Sequence, residues 1–586
     1  LTPKDIERWR NDLPLADIGI SSKKLYTLLL EINQTSIPPK ERFTMLELLR
    51  VPTQFICQNL KKHYLHQITA LSPQKVAVAR LAETLQVQIT YGYKTIIEEL
   101  DAYKDNADSR RILATSIQRT VSAFNDILLR SYQLYSTCTA GTWLDIYHLY
   151  LYAAQEGILK DRVINNTFEH IFLFSATDPY KWRQTDQENL NNILDTWLPF
   201  TQLSKVSHFK LEAVPHNATP NLILIDPKTD QAPALLARKE LDNIPPHCLI
   251  LDLHKLVHHL EEVLQGMEAR EVSGRSVVHT HNVESEAALP INVVKGLVKD
   301  WGIPSVRQKP RNSKNEEVRV CVGLSATHYY VSNGRPFSTG ISESGPTGIT
   351  SHAEQTGNGN GTTTQELKTT EEESIDLSMI PLPDEKRFVK LNDFKTTTCT
   401  IVDDAEGGRC ILWGDDAYPP IQAGDILGVQ STQSTNSPWL VGIVRWLKHT
   451  QNDKLKLGVQ LLTEPVTAAG IQALKDGQPS GQYLRCLIVK NIVITAPIPF
   501  KTGSRVMIRR VEQDSITTFE ADLTKLIEST GSHKQFQFLD KEARIKTIIN
   551  PTVVPTNGPS AVIEPEEETK TSKKGDDPFD SLWNQL

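Results

Sequence analysis

Two arginines four residues apart, Arg307 and Arg311, lie in the basic stretch Arg-Gln-Lys-Pro-Arg. Each guanidinium is a planar fork of N–H donors that can grip a phosphate with two bonds at once. Further along, Asp403 and Asp404 run into Ala405-Glu406-Gly407-Gly408. The Asp403 carboxylate is an acceptor, and two glycines at a strand-to-strand corner permit positive φ and a close ligand approach to the backbone. No other group of residues assembles as well. His254, His258 and His259 share one predicted helix, with 254 and 258 on a common face, but no HExxH motif or third ligand accompanies them. His279 and His281 form a similar lone pair. The glycine-rich run 357–361 lacks the Lys-Ser/Thr of a phosphate loop. Gly323-Leu324-Ser325 lacks the second glycine of a nucleophile elbow, and Ser325 falls in a predicted strand. With no paired-carboxylate or kinase signature either, the expectation is a binding protein rather than an enzyme.

The elements that must position these residues change character along the chain. Residues 1–160 read as a helical domain. Thr2-Pro3 and Ser72-Pro73 look like helix starts, Ser21 or Ser22 is a candidate cap, and Pro38-Pro39 opens another helix. Leu113, Ile117, Val121, Phe124 and Leu128 make one apolar stripe. Trp143 to Ala154 has half the look of a tetratricopeptide unit, but without a repeat an aromatic core helix is the better reading. Residues 165–302 read as a mixed α/β domain, with a strand at Asn221–Ile225 and helices over about 187–198, 251–268 and 285–301. From 303 to 480 the pattern is β, including Val318 to Val331, interrupted by a stretch at about 338–385 that lacks the apolar content to order itself. Residues 481–550 read as an additional β segment and 551–586 as a disordered tail.

The β region resembles the PilZ domain, a small six-stranded barrel that binds cyclic di-GMP. Arg307 and Arg311 match that family's RxxxR, and Asp403, Ala405 and Gly408 align with its [DN]xSxxG, with alanine in the serine position. Gly424-Asp425, Val441-Gly442-Ile443-Val444-Arg445-Trp446 and Leu457-Gly458-Val459-Gln460 follow in the family's order. The resemblance implies cyclic di-GMP as ligand. It implies that the arginines hold phosphates or guanine O6 and N7, that Asp403 accepts from guanine N1–H and N2–H, and that Gly408 allows close approach. Ala405 cannot supply the serine's hydroxyl. Motility, pili or exopolysaccharide are the outputs the family suggests. A barrel that has lost its ligand and serves as a scaffold is the alternative.

The fold expected is thus multidomain α+β: an N-terminal all-α bundle or array, a small mixed region, and a PilZ-like antiparallel barrel with a further β segment. Charge is nearly balanced, 63 Lys+Arg against 70 Asp+Glu for a net −7, which argues against a broad DNA or RNA surface. No apolar run approaches the ~18–20 residues of a membrane span. Seven scattered cysteines without a CxxC read as free buried thiols of a cytoplasmic protein. The final residues set Phe579, Leu582 and Trp583 at helical spacing among acids, as in a short motif that docks on a protein partner.

Overall fold

The computed structural model describes residues 1–65, 73–100, 106–209, 221–273, 289–302, 312–335, 337, 394–405, 407–414, 421–434, 437–450, 454–512 and 515–541. Eight helices come first: α1 (Pro3–Asn11), α2 (Ile18–Gln34), α3 (Pro39–Tyr64), α4 (Pro73–Leu100), α5 (Ala107–Gln133), α6 (Thr142–Gln155), α7 (Arg162–Ala176) and α8 (Gln184–Trp197). Thr2 caps α1 in a capping box with Asp5, as its sequence suggests. The cap of α2 is instead Asp17, which accepts the Ile20 N–H at 2.9 Å. Ser21 and Ser22 lie buried within that helix. Ser72 falls outside the described residues.

Ile6, Leu29, Leu46, Leu85 and their neighbours form a first core among α1–α5. A second runs from α5 through α6–α8 into the following sheet and helices. Residues on either side of 160 therefore share one hydrophobic interior, and helix continues through Trp197, past the boundary expected there. The segment from Phe172 is helical, and Trp143 and Tyr147 are buried against it as an aromatic core helix.

Strands β1 (Gln202–Lys205), β2 (Leu222–Ile225), β3 (Ala234–Leu235) and β4 (Leu249–Asp252) form an antiparallel sheet in the order β1-β4-β2-β3. Helices α9 (His254–Ser273) and α10 (Ile291–Gly302) pack on one another beside it.

β5 (Asn312–Val322) then opens the first barrel. The strand expected to reach Val331 stops at Gly323, whose φ of +92° turns the chain into α11 (Leu324–Val331). Ser325 is thus an exposed helical residue. β6 (Thr397–Ala405), β7 (Gly408–Trp413), β8 (Ile426–Ser431), β9 (Leu440–His449) and β10 (Leu455–Leu461) complete a closed six-stranded barrel ordered β10-β7-β6-β5-β8-β9.

A second closed barrel follows: β11 (Val466–Lys475), β12 (Gln478–Val489), β13 (Ile492–Thr495), β14 (Arg505–Glu512), β15 (Ser515–Ser529) and β16 (Lys534–Asp540). The expected boundary at 480 falls inside β12. The reason is the hairpin at Asp476-Gly477, both at positive φ, which ties β11 to β12 and so to the second barrel. The segment at about 338–385 and the tail with Phe579, Leu582 and Trp583 lie outside the described residues. Among the described residues, no helix is long and apolar enough to cross a membrane.

Candidate functional site

Strand β6 organises the site. Its inward residues Cys399 and Ile401 join Val318, Ile411, Trp413, Leu427 and Leu457 in the barrel core. That fixes the register of its outer end. Asp403 stands opposite Ser313 and Asp404 opposite Asn312 on β5. On β7, Asp403 faces Cys410, Asp404 faces Arg409 and Ala405 faces Gly408. Both ladders slip here, between Ser313 and Glu316 and between Ile401 and Asp403. Such bulges re-aim side chains at a barrel rim.

Asp403, Ala405 and Gly408 are therefore brought together on one hairpin. Arg307 and Arg311 lie outside the described residues. Arg311 is, however, covalently joined to Asn312, the residue paired with Asp404.

The glycine roles divide differently from the sequence expectation. Gly407 carries the positive φ, +82°, and its carbonyl accepts the Leu461 N–H at 2.9 Å. Gly408 has no such constraint, and a Cβ there would meet Val459 O at 3.6 Å, an ordinary contact.

A charged network surrounds the hairpin that the motif reading did not include. Lys314 Nζ lies 2.9 Å from Glu316 and 3.2 Å from Asp404. Glu316 accepts the Ser431 hydroxyl at 2.7 Å. That hydroxyl, and Lys314 after it, hold the Glu316 carboxyl below its usual range. Hydrogen bonds to Glu316 and then Asp404 raise the Lys314 ammonium above its own. Arg409 Nε lies 3.5 Å from Asp404 Oδ1, yet it is buried and makes no hydrogen bond. A buried guanidinium donor without a hydrogen bond costs free energy, and the ion pair with Asp404 offsets part of that cost. The signal for Arg409 lay in its cross-strand pairing with Asp404 and that for Lys314 in the bulge of β5, neither of which the linear motif carries.

The far side of the barrel is fastened to the rest of the chain. Tyr135, just after α5, contributes to the barrel core, and its carbonyl accepts the His449 N–H at 2.7 Å. Lys448 Nζ sits 4.9 Å from the Tyr180 ring centroid. Arg183, ahead of α8, donates to Ala423 O at 2.9 Å and Gln422 Oε1 at 3.3 Å and pairs with Asp425. Burial raises the Asp425 carboxyl, opposed by Arg183. From the second barrel, Thr530 and Ser532 donate to Gly424 O at 3.2 and 2.8 Å, and Glu528 pairs with Arg445.

Three family models match in succession. The model of the N-terminal domain of the cyclic-di-GMP receptor FimW covers residues 4–208. The model of its middle PilZ domain covers 222–467, and that of its C-terminal β-barrel domain 469–540. The cyclic-di-GMP receptor FimW of Pseudomonas aeruginosa is 26% identical over 620 aligned positions, spanning all of this chain and 96% of its own length. No solved structure matches the chain. With a closed six-stranded barrel, its hairpin of Asp403, Ala405 and Gly408, and matches that run in order from helical domain to second barrel, the chain belongs to the PilZ-domain family of cyclic-di-GMP receptors.

Proposed function

We propose that the chain is a signalling effector that binds cyclic di-GMP at the rim of its first barrel. In this reading Arg307 and Arg311 donate to phosphate oxygens or guanine edges, and Asp403 accepts from guanine N–H groups. Gly408 leaves room for the ligand beside the backbone. The observation that carries the reading is the register of β5. It sets Asn312 opposite Asp404, and Arg311 is only one Cα step, about 3.8 Å, further on. Arg409, ion-paired with Asp404 at 3.5 Å, and Lys314, 3.2 Å from the same carboxylate, place cationic groups on that rim.

Signal transfer runs through the joint at Tyr135, Tyr180 and Arg183, which ties the barrel to the helical region. A ligand favouring one arrangement of that joint shifts its population by the difference in affinity. The output is a protein partner, met by the helical surface and by Phe579, Leu582 and Trp583 of the tail, in the cytoplasm. Removing residues 576–586 is expected to leave cyclic di-GMP affinity unchanged and to abolish recovery of that partner. Equal recovery by the truncated chain would remove the tail from the account.

Ala405 favours a second reading, a barrel that scaffolds without nucleotide. Calorimetric titration with cyclic di-GMP separates the two. The receptor reading expects saturable binding by the wild-type chain and a loss of at least about a hundredfold in the Arg307→Ala, Arg311→Ala double variant, about 3 kcal/mol for two charge-assisted contacts. No binding by the wild type supports the scaffold, and equal binding by both chains rejects the arginine assignment.

A further inference from the structure

Asp226, His247 and Cys248 meet at one corner of the small sheet. The strand register explains why. Ile225, the last residue of β2, pairs with Leu249, the first of β4. Asp226 and Cys248 are the next residues outward on these two strands, so antiparallel pairing makes neighbours of them. His247 enters from the turn before β4, with Nε2 3.0 Å from Asp226 Oδ1. The carboxylate, imidazole and thiol ligand atoms all lie within 4.8 Å of one another.

Backbone contacts hold two of the three in place. Asp226 Oδ1 accepts the Lys228 N–H at 3.0 Å, and the Asp226 carbonyl accepts the Thr229 N–H at 3.2 Å. The Cys248 N–H donates to Pro245 O at 3.0 Å, and the Cys248 carbonyl accepts the Val206 N–H at 3.2 Å. Exposure is graded across the set: Cys248 is 1% exposed, whereas the Asp226 and His247 side chains are 30% and 31% exposed. The sulfur is thus a buried anchor under two ligands that face a solvent-accessible mouth.

We propose that these three side chains form a binding site for one zinc ion. Thiolate, imidazole and carboxylate together suit zinc, whereas magnesium and calcium take all-oxygen sets. Bonds of roughly 2.0–2.3 Å in a tetrahedron need ligand atoms roughly 3.3–3.6 Å apart. The 3.0 Å between Asp226 and His247 and the 4.8 Å limit for the set bracket that requirement, so small side-chain rotations close it. Binding replaces the Cys248 S–H bond with a sulfur–metal bond and releases the proton to water. The fourth position faces the mouth and takes water. The ion clips the end of β2 to the start of β4, the central strands of the sheet. This site is separate from the cyclic di-GMP reading and stands or falls without it.

The test uses the full chain, stripped of metal and titrated with Co2+ and then with Zn2+. One Co2+ per chain is expected, with a near-ultraviolet thiolate-to-metal absorption band that Zn2+ abolishes. Cys248→Ser is expected to lose the band. Asp226→Asn, which keeps an oxygen acceptor for the Lys228 N–H, and His247→Gln, both at partly exposed positions, are expected to weaken Zn2+ binding roughly tenfold or more with unchanged circular dichroism. Absence of the thiolate band, its persistence in Cys248→Ser, or wild-type zinc affinity in both other variants overturns the proposal.

Discussion

At the scale of single residues, the hairpin makes separable demands. Ala405 sits where a serine hydroxyl would stand in the family pattern, opposite Gly408. Restoring it with Ala405→Ser is expected to tighten cyclic di-GMP binding about tenfold, the worth of one hydrogen bond of ~1.5 kcal/mol. Calorimetry checks this, and unchanged affinity would mean that position 405 does not face the ligand. The adjacent glycines should behave unlike one another. Gly407→Ala puts a Cβ at φ +82° and is expected to cost about 1–2 kcal/mol in a denaturant melt. Gly408→Ala meets only Val459 O at 3.6 Å, so its stability should lie within about 0.5 kcal/mol of wild type. Loss of ligand affinity in Gly408→Ala would then report the ligand's approach rather than a damaged fold. The acidic-glycine corner was legible from residue types alone. Which glycine the backbone needs was not, because that depends on the Ala405–Gly408 pairing.

Among the elements, two buried histidines make a pH-dependent contribution. His328 on α11 hydrogen-bonds Ala469 O at 3.1 Å, joining the helix to the second barrel. His533, in the turn between β15 and β16, sits among Thr530, Ser532 and Gln535. Burial lowers both to about 4. An unfolded chain protonates them near 6.5, so it binds more protons than the folded chain between those values, and stability falls as pH drops from about 6.5 towards 4. Each histidine is expected to contribute about 3 kcal/mol to that loss. Melts of His328→Gln and His533→Gln against pH should show a flatter slope, and an unaltered slope in both would contradict the assignment.

These elements also show what patterning conveys. β6 and β7 read directly as strands, because short runs of β-formers, Cys399–Val402 and Cys410–Trp413, flank a glycine corner. Helix α11 did not, because β-formers lie on both sides of Gly323, valines before it and tyrosines with Val331 after it, and only the backbone turn there separates strand from helix. Likewise β11 looked like the end of the first barrel, since membership of a closed sheet is decided by long-range pairing.

For the whole molecule, the question is how a small barrel speaks to its neighbours. Arg183 is the clearest tie: its side chain and that of Asp425 are 16% and 15% exposed, and removing either leaves the other's charge largely buried without its counter-charge. Arg183→Ala is expected to destabilise the chain by roughly 3–5 kcal/mol, with part of the loss recovered by adding Asp425→Asn. Thermal melts of the two variants test this, and no recovery would mean that the cost lies in lost packing. None of this joint was visible in the sequence, where Arg183 and Asp425 are far apart and neither belongs to the ligand motif except through the Gly424-Asp425 step.

The central claim is that the ligand is held between the segment entering β5 and the β6–β7 hairpin. Hydrogen–deuterium exchange with and without saturating cyclic di-GMP tests it most directly. Protection is expected at 307–316 and 400–411, with a smaller effect at 133–137 and 180–184, where the helical region meets the barrel. Protection confined to other parts of the chain, or none at saturation, would contradict the account.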